Sequence, residues 1–316
     1  MVFPVSGVET NPMIPFLVAL VVSFFTSMGG VSGAFLLLPF QVSVLGFTSP
    51  AVSPTNLVFN VVAIPSGVYR YIREGRMAWP LTWVVIVGTL PGVFIGAFLR
   101  IQYLPNPKAF KLFAGCVLLY IGARLIYDLW RPRPGLKTLE AKFNERVAAL
   151  KEASQKRMAS GLPPEAVVRT LKFTPTRIAY EFYGETFEFS TWGIFALSFI
   201  VGIVGGTYGI GGGAIVAPFF VAVFGLPVYT VAGAALMGTF ITSVAGVLFY
   251  MLIAPWYPQQ AIAPDWLLGL LFGLGGMAGM YLGARTQKFV PAKIIKMILA
   301  AILLYLSGSY IIGFFR

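Results

Sequence analysis

The chain has 316 residues, of which 58% are apolar and 11% charged, so a water-soluble globule built from it would lack the polar surface to cover itself. The formal charge of +12 fits a membrane protein whose cytoplasmic loops collect Lys and Arg, and no basic patch interleaved with stacking aromatics points to nucleic acid. Histidine is absent and Cys116 is the single cysteine, which excludes an intramolecular disulfide, a cysteine metal site and a histidine proton shuttle, and leaves no nucleophile–base pair from which to build an enzyme.

Eight apolar segments follow one another at 13–45, 49–70, 78–100, 108–129, 191–224, 229–254, 264–285 and 291–315. They have the length that an α-helix needs to cross about 30 Å of hydrocarbon, and none shows the ten-residue alternation of a transmembrane β-strand. No Lys or Arg precedes the first of them, so the basic start of a signal peptide is missing and this segment is expected to stay in the mature protein. The fold class expected is therefore an all-α polytopic membrane protein, its solvent the lipid bilayer.

Segments 13–45 and 191–224 are longer than one crossing needs, and each is broken by glycines: Met28-Gly29-Gly30-Val31-Ser32-Gly33 in one, Tyr208-Gly209-Ile210-Gly211-Gly212-Gly213 in the other. Laid over 195–312, the stretch 16–127 puts Gly30 on Gly209, Gly33 on Gly212, Pro39 on Pro218 and Gly46 on Gly225 without a gap. Further on, Gly96-Ala97 meets Gly283-Ala284 and Lys111 meets Lys296. The organisation expected is a first membrane repeat over 1–130, an insert over 131–189 and a second membrane repeat over 190–316.

The insert is the one long polar stretch. Leu139, Phe143, Val147 and Leu150 recur at helical spacing and predict an amphipathic helix over 137–159. Over 169–189 apolar and charged residues alternate around Thr174-Pro175 and Tyr183-Gly184, which predicts two or three short strands. A small cytoplasmic α+β module follows from this.

Each glycine-broken segment is either one long broken helix or a re-entrant hairpin of two half-helices. Two hairpins put Arg70, Arg73 and Arg76 on the same side as Arg285, Lys288, Lys293 and the insert, as positive-inside topology requires. Arg100, Lys108 and Lys111 fall on the other side and weigh against it. A hairpin plus three spans is an odd number of crossings, so the two repeats are expected to be inverted, a plan that secondary transporters use.

Unwound chain at membrane depth is tolerated where it is buried or lines a wet cavity. The second half-helix of each hairpin is expected to start at about Gly33 and Gly212, presenting unpaired N–H groups and a positive dipole end. Two such ends facing each other make an anion site without a charged side chain. The candidate binding residues are Gly30, Gly33, Ala34, Asn56, Asn60, Gly209, Gly211, Gly212, Gly213, Thr239 and Thr242, the Asn and Thr side chains offering further donors. Close backbone packing is the alternative use of such glycines, and Gly92, Gly96, Gly279 and Gly283 fit it well. Ser and Thr can also bond their own helix. No acid falls in mid-span, which disfavours a buried carboxylate relay.

Gly29-Gly30-x-x-Gly33 and Gly205-Gly206-x-x-Gly209-x-Gly211-Gly212-Gly213, with Pro39 and Pro218 behind them, resemble the TauE/SafE family of sulfite-exporter-like permeases across about 13–129 and 190–315. Ser32 and Ala34 stand where glycines are usual in that pattern, and the insert is longer than the short linker expected of it. The resemblance implies an exporter of sulfite, sulfoacetate, taurine-derived or other organosulfonate anions in the bacterial inner membrane. The residues themselves indicate only an anion. A membrane sensor or assembly subunit, with 131–189 as its output module, is the competing function.

Overall fold

Apolar runs become helices because a helix satisfies every backbone N–H and C=O within one segment, leaving none for hydrocarbon. The computed structural model describes residues 1–28, 32–73, 75, 77–130, 167–182, 184–286 and 292–315. The first half holds α1 (Met13–Met28), α2 (Ala34–Ser43), α3 (Val52–Arg73), α4 (Trp79–Gln102) and α5 (Pro107–Trp130). The second holds α6 (Thr191–Tyr208), α7 (Val216–Phe224), α8 (Val228–Ile253), α9 (Trp266–Thr286) and α10 (Ala292–Phe315). Six of these, α4, α5, α6, α8, α9 and α10, are long and apolar enough to cross a membrane. At 22 residues α3 is also long, but Ser53, Thr55, Asn56 and Asn60 lie buried within it and lower its hydropathy.

The two halves are knitted into each other. Helix α1 lies against α9 and α6 against α4, α3 packs on both α8 and α9, and α5 pairs with α10. Glycines set the close contacts: a Cβ at Gly92 would stand 2.5 Å from Phe199 O and one at Gly96 2.3 Å from Ile203 O. Across the molecule, Gly279 and Gly283 meet Leu20 O and Phe24 O at 2.2 and 2.3 Å in the same sense. These four glycines therefore serve close packing between helices.

The order of such contacts gives direction. Gly88, Gly92 and Gly96 step forward along α6, Gly275, Gly279 and Gly283 step forward along α1, and Gly269 and Gly273 step forward along α3 from Val58 to Val62. Gly238 and Gly246 of α8 meet Val85 and Val93 of α4, again in parallel. By contrast, Gly246 meets Leu57 while Gly67 meets Leu236, so α3 and α8 are antiparallel; Gly115 faces Ser307–Ile311 and Gly122 faces Leu304, so α5 and α10 are too.

Both short helices turn back. A Cβ at Gly193, in the first turn of α6, would stand 3.2 Å from the ring of Phe224 at the end of α7. On the other side, α2 ends at Ser43, whose hydroxyl meets Tyr310 at 2.7 Å, and the chain then meets the 261–265 loop through Ala51 N–H to Ala261 O at 2.9 Å. That same loop holds the stretch before α1, because Asp265 Oδ2 accepts from Ser6 N at 3.0 Å and Ser6 Oγ at 2.9 Å.

Between the halves lie β1 (Arg169–Phe173), β2 (Arg177–Phe182) and β3 (Glu185–Ser190), an antiparallel sheet in the order β1-β2-β3 with Arg177 opposite Ser190. Thr174 closes the first turn by bonding Arg177 O, and Gly184 turns the second at φ +74°. The strands predicted over 169–189 are thus present; the helix predicted over 137–159 lies outside the described residues. The sheet docks on the membrane helices through its buried β2 face, where the Tyr180 hydroxyl meets Thr230 Oγ1 at 2.7 Å. Burial raises the Tyr180 pKa, and the bond to Thr230 opposes the rise. Val168 N–H to Gly75 O ties the sheet to the loop after α3, and Ser190 caps α6 through Gly193 N–H.

Candidate functional site

The two glycine breaks meet inside the helix bundle. At the second, α6 ends at Tyr208 and the chain reverses through Gly209 and Gly211, both at φ +82°, a conformation that L side chains adopt rarely. Gly209 N–H and Ile210 N–H both return to Gly205 O, at 2.9 and 3.0 Å. Turns then occupy 212–215 and α7 starts at Val216, four residues later than Gly212, where the sequence placed the new helix. The delay has a physical cause, since two left-handed residues cannot open a right-handed helix and the turn has to be completed first. At the first break α2 starts at Ala34, directly after Gly33. Gly30 lies outside the described residues.

Helix α3 holds the breaks together. Asn56 donates both amide hydrogens to backbone carbonyls, Ala34 O in the first turn of α2 at 3.0 Å and Gly209 O in the unwound stretch at 2.8 Å. Its own oxygen accepts from Gln41 at 3.2 Å. Asn60 donates to Ile210 O at 2.9 Å and to Ser243 Oγ at 3.2 Å, and accepts from Ser32 Oγ at 2.7 Å. Asn56 and Asn60 each bond both breaks, and they, Gln41, Ser32 and Ser243 are all buried. A carbonyl left bare at this depth costs about 1–3 kcal/mol, so the two carboxamides do work that unwound chain in a membrane requires.

The N–H groups that open the second half of each hairpin are held by hydroxyls. Ala34 N–H points to Ser32 Oγ at 3.3 Å, and Gly212 N–H to Thr242 Oγ1 at 3.0 Å. Thr242 and Thr239 donate in turn to the carbonyls one turn back in α8, Gly238 at 2.7 Å and Ala235 at 2.8 Å. The glycines are packed from three sides. A Cβ at Gly33 would stand 2.9 Å from Ser23 Oγ, one at Gly211 2.8 Å from Ser243 Oγ, one at Gly212 2.6 Å from Thr89 Cβ, and one at Gly213 2.2 Å from Ala235 O.

Every described candidate from the sequence thus sits in one buried cluster. The carboxamide hydrogens of Asn56 and Asn60 are engaged with backbone and Ser243, and Thr239 and Thr242 bond their own helix. One residue beside the cluster escaped the sequence reading. Arg100 closes the apolar run 78–100 and its charge weighs against the outer side on which the hairpin topology puts it, yet it is fully buried.

Residues 15–310 match the family described as Sulfite exporter TauE/SafE. The chain belongs to that family. Membership in the TauE/SafE family makes it a membrane anion exporter rather than an enzyme. No curated protein and no solved structure matches the chain. Among the described residues no three His, Cys, Asp or Glu side chains are grouped as metal ligands would be.

Proposed function

We propose that this TauE/SafE chain is an inner-membrane permease that carries sulfite, sulfoacetate or a related organosulfonate out of the cell, binding it at mid-membrane between the two hairpin tips. The observation that carries the proposal is the meeting of both breaks on Asn56 and Asn60. An oxyanion arriving there takes over Ala34 N–H and Gly212 N–H from Ser32 and Thr242, whose hydroxyls act as stand-in acceptors until then. Hydrogen bonds to a charged group contribute about 1.5–3 kcal/mol each, and the dipole of α2, which starts at Ala34, favours negative charge beside Ala34 N–H. The binding set is the one read from sequence, Gly30, Gly33, Ala34, Asn56, Asn60, Gly209, Gly211, Gly212, Gly213, Thr239 and Thr242. Within it the two asparagines hold the backbone in position for the anion.

We also infer that the halves are inverted repeats. Parallel contacts of α9 with α1 and α3, parallel contacts of α4 with α6 and α8, and antiparallel pairing of α3 with α8 and α5 with α10 support opposite senses for α1, α3, α4 and α5 and their repeat partners α6, α8, α9 and α10. The turned-back ends of α2 and α7 support re-entrant hairpins. Helices α3 and α9 run parallel, which supports one end of the bundle shared by their last residues, Arg73 and Thr286, and by the sheet. By the positive-inside rule that end, and 131–189 with it, faces the cytoplasm.

Proteoliposomes loaded with sulfite test the function: the expected result is protein-dependent efflux, competed by sulfoacetate better than by phosphate. Absence of flux for every sulfur anion tried would remove it. Single cysteines at Arg73, Leu150 and Lys288 on a Cys116→Ala background, needed because Cys116 is exposed, should all be labelled from the cytoplasmic side. Labelling of 73 and 288 from opposite sides would remove the inverted topology.

A further inference from the structure

We propose that Arg100, together with Tyr250 and Ser53, forms an anion-binding station just beyond the second hairpin tip, on the exit side of the pathway; the proposal rests on the anion-permease function above. Arg100 sits in the last turn of α4 and is fully buried. Its Nη1 donates to Leu104 O, and its guanidinium lies 3.8 Å over the ring of Phe110. Its Nε and Nη2 are buried and reach no acceptor.

The position follows from the helix contacts. Gly96 lies level with Ile203–Thr207, so Arg100, one turn further on by about 6 Å, lies level with the reversal at 208–211. Phe110, beneath the guanidinium, stacks on Tyr208, the last residue of α6, at 6.4 Å between centroids. From α3, Ser53 backs the reversal itself, its Cβ 2.6 Å from where a Cβ of Gly209 would be. From α8, Tyr250 packs in one buried cluster with Ala97 and Ile101, which flank Arg100 on α4, and with Leu57 of α3. Both hydroxyls are buried, and neither makes a hydrogen bond of ordinary geometry.

A guanidinium keeps its charge in any such setting, and burying one without a counter-charge is costly. Among the described residues the other fully buried charged side chain is Asp265, and its oxygens are taken by Val5, Ser6 and Leu268. The Nε–Nη2 edge of Arg100 is the planar fork that fits two oxygens of one oxyanion. Tyr250 and Ser53 supply O–H donors to the remaining oxygen. The chemistry fits a small anion with two or three terminal oxygens, such as sulfite or the head of a sulfonate. The station is one-sided: in the repeat Arg100 falls on Gln287 and Ser53 on Ala232. It lies toward the 44–51 and 254–265 loops, the end that the proposed topology turns outward.

The test is the sulfite concentration dependence of efflux from proteoliposomes, with equilibrium sulfite binding to the same protein in detergent. Arg100→Gln should weaken binding at least tenfold, Arg100→Lys less, because a point charge replaces the fork, and the double variant Ser53→Ala/Tyr250→Phe by several-fold. Wild-type affinity in Arg100→Gln overturns the station and leaves the arginine a clamp on Leu104. If that variant fails to fold, the double variant decides: unchanged affinity overturns the station, weakened affinity supports it. Failure of the wild type to bind or move sulfite overturns instead the parent function.

Discussion

The two hairpin tips carry the same broken pattern and solve it differently. In the gap-free register of the repeat Ser32 falls on Gly211 and Ala34 on Gly213. At the second tip the backbone makes the reversal, with positive φ at Gly209 and Gly211 and α8 packed so close that Gly213 has no room for a side chain. Among the described residues of the first tip, side chains stand where the second has glycines: Ser32 bonds Asn60, and the methyl of Ala34 is accommodated in a buried setting. Helix α3 serves both tips, whereas among the described residues α8 bonds only the second directly. A duplicated pattern thus need not keep duplicated chemistry, and the half with more glycine is the one whose geometry tolerates least.

The largest expected effect tests that intolerance. A Cβ at Gly213 would stand 2.2 Å from Ala235 O and 2.6 Å from Thr239 N, and backbone cannot step aside as a side chain can. Gly213→Ala should therefore cost more than the roughly 1–3 kcal/mol of ordinary overpacking. Ala34→Gly, the reverse change at the matching position, should cost about 0.5–1 kcal/mol. Thermal melting of both variants in detergent checks this, and equal shifts would break the comparison.

The next effect tests the sharing of α3. Asn60→Leu removes the donor to Ile210 O and the acceptor of Ser32 together, at about 1–3 kcal/mol for each group left bare. Both tips should loosen. Cysteines introduced near either tip on the Cys116→Ala background should then react faster with a small thiol reagent; acceleration at one tip alone would show that the tips are independent.

Much of this was legible in the residues. Long apolar runs, glycine breaks and a repeat in fixed register mark the helices and where they fail, because each rests on local chemistry. The start of α7 was not legible to better than four residues, since glycine composition does not say which residues turn left-handed. The partners of Asn56 and Asn60 were not legible either: a polar side chain on an apolar helix announces a buried bond, but the carbonyls of Gly209 and Ile210 are about 150 positions away and come near only through packing. The burial of Arg100 was not legible, because a charge at the end of an apolar run reads as a group at the membrane edge.

The smallest effect separates two roles for the hydroxyls at the tips. Thr242→Val keeps the shape of the side chain and removes the acceptor of Gly212 N–H, which leaves a buried donor bare and destabilises the anion-free protein by about 1–3 kcal/mol. If the anion takes over that N–H, the bound form suffers no such loss, and the difference appears as tighter binding: sulfite affinity should rise by roughly fivefold to a hundredfold while the melting temperature without sulfite falls. Ser32→Ala should behave alike but more weakly, because the contact from Ala34 N–H is longer, at 3.3 Å. Calorimetric titration with sulfite, paired with melting curves with and without the anion, reads both quantities on one sample. Weaker binding in Thr242→Val would mean that the hydroxyl itself contacts the anion, and the role given to the half-helix N–H groups would fall.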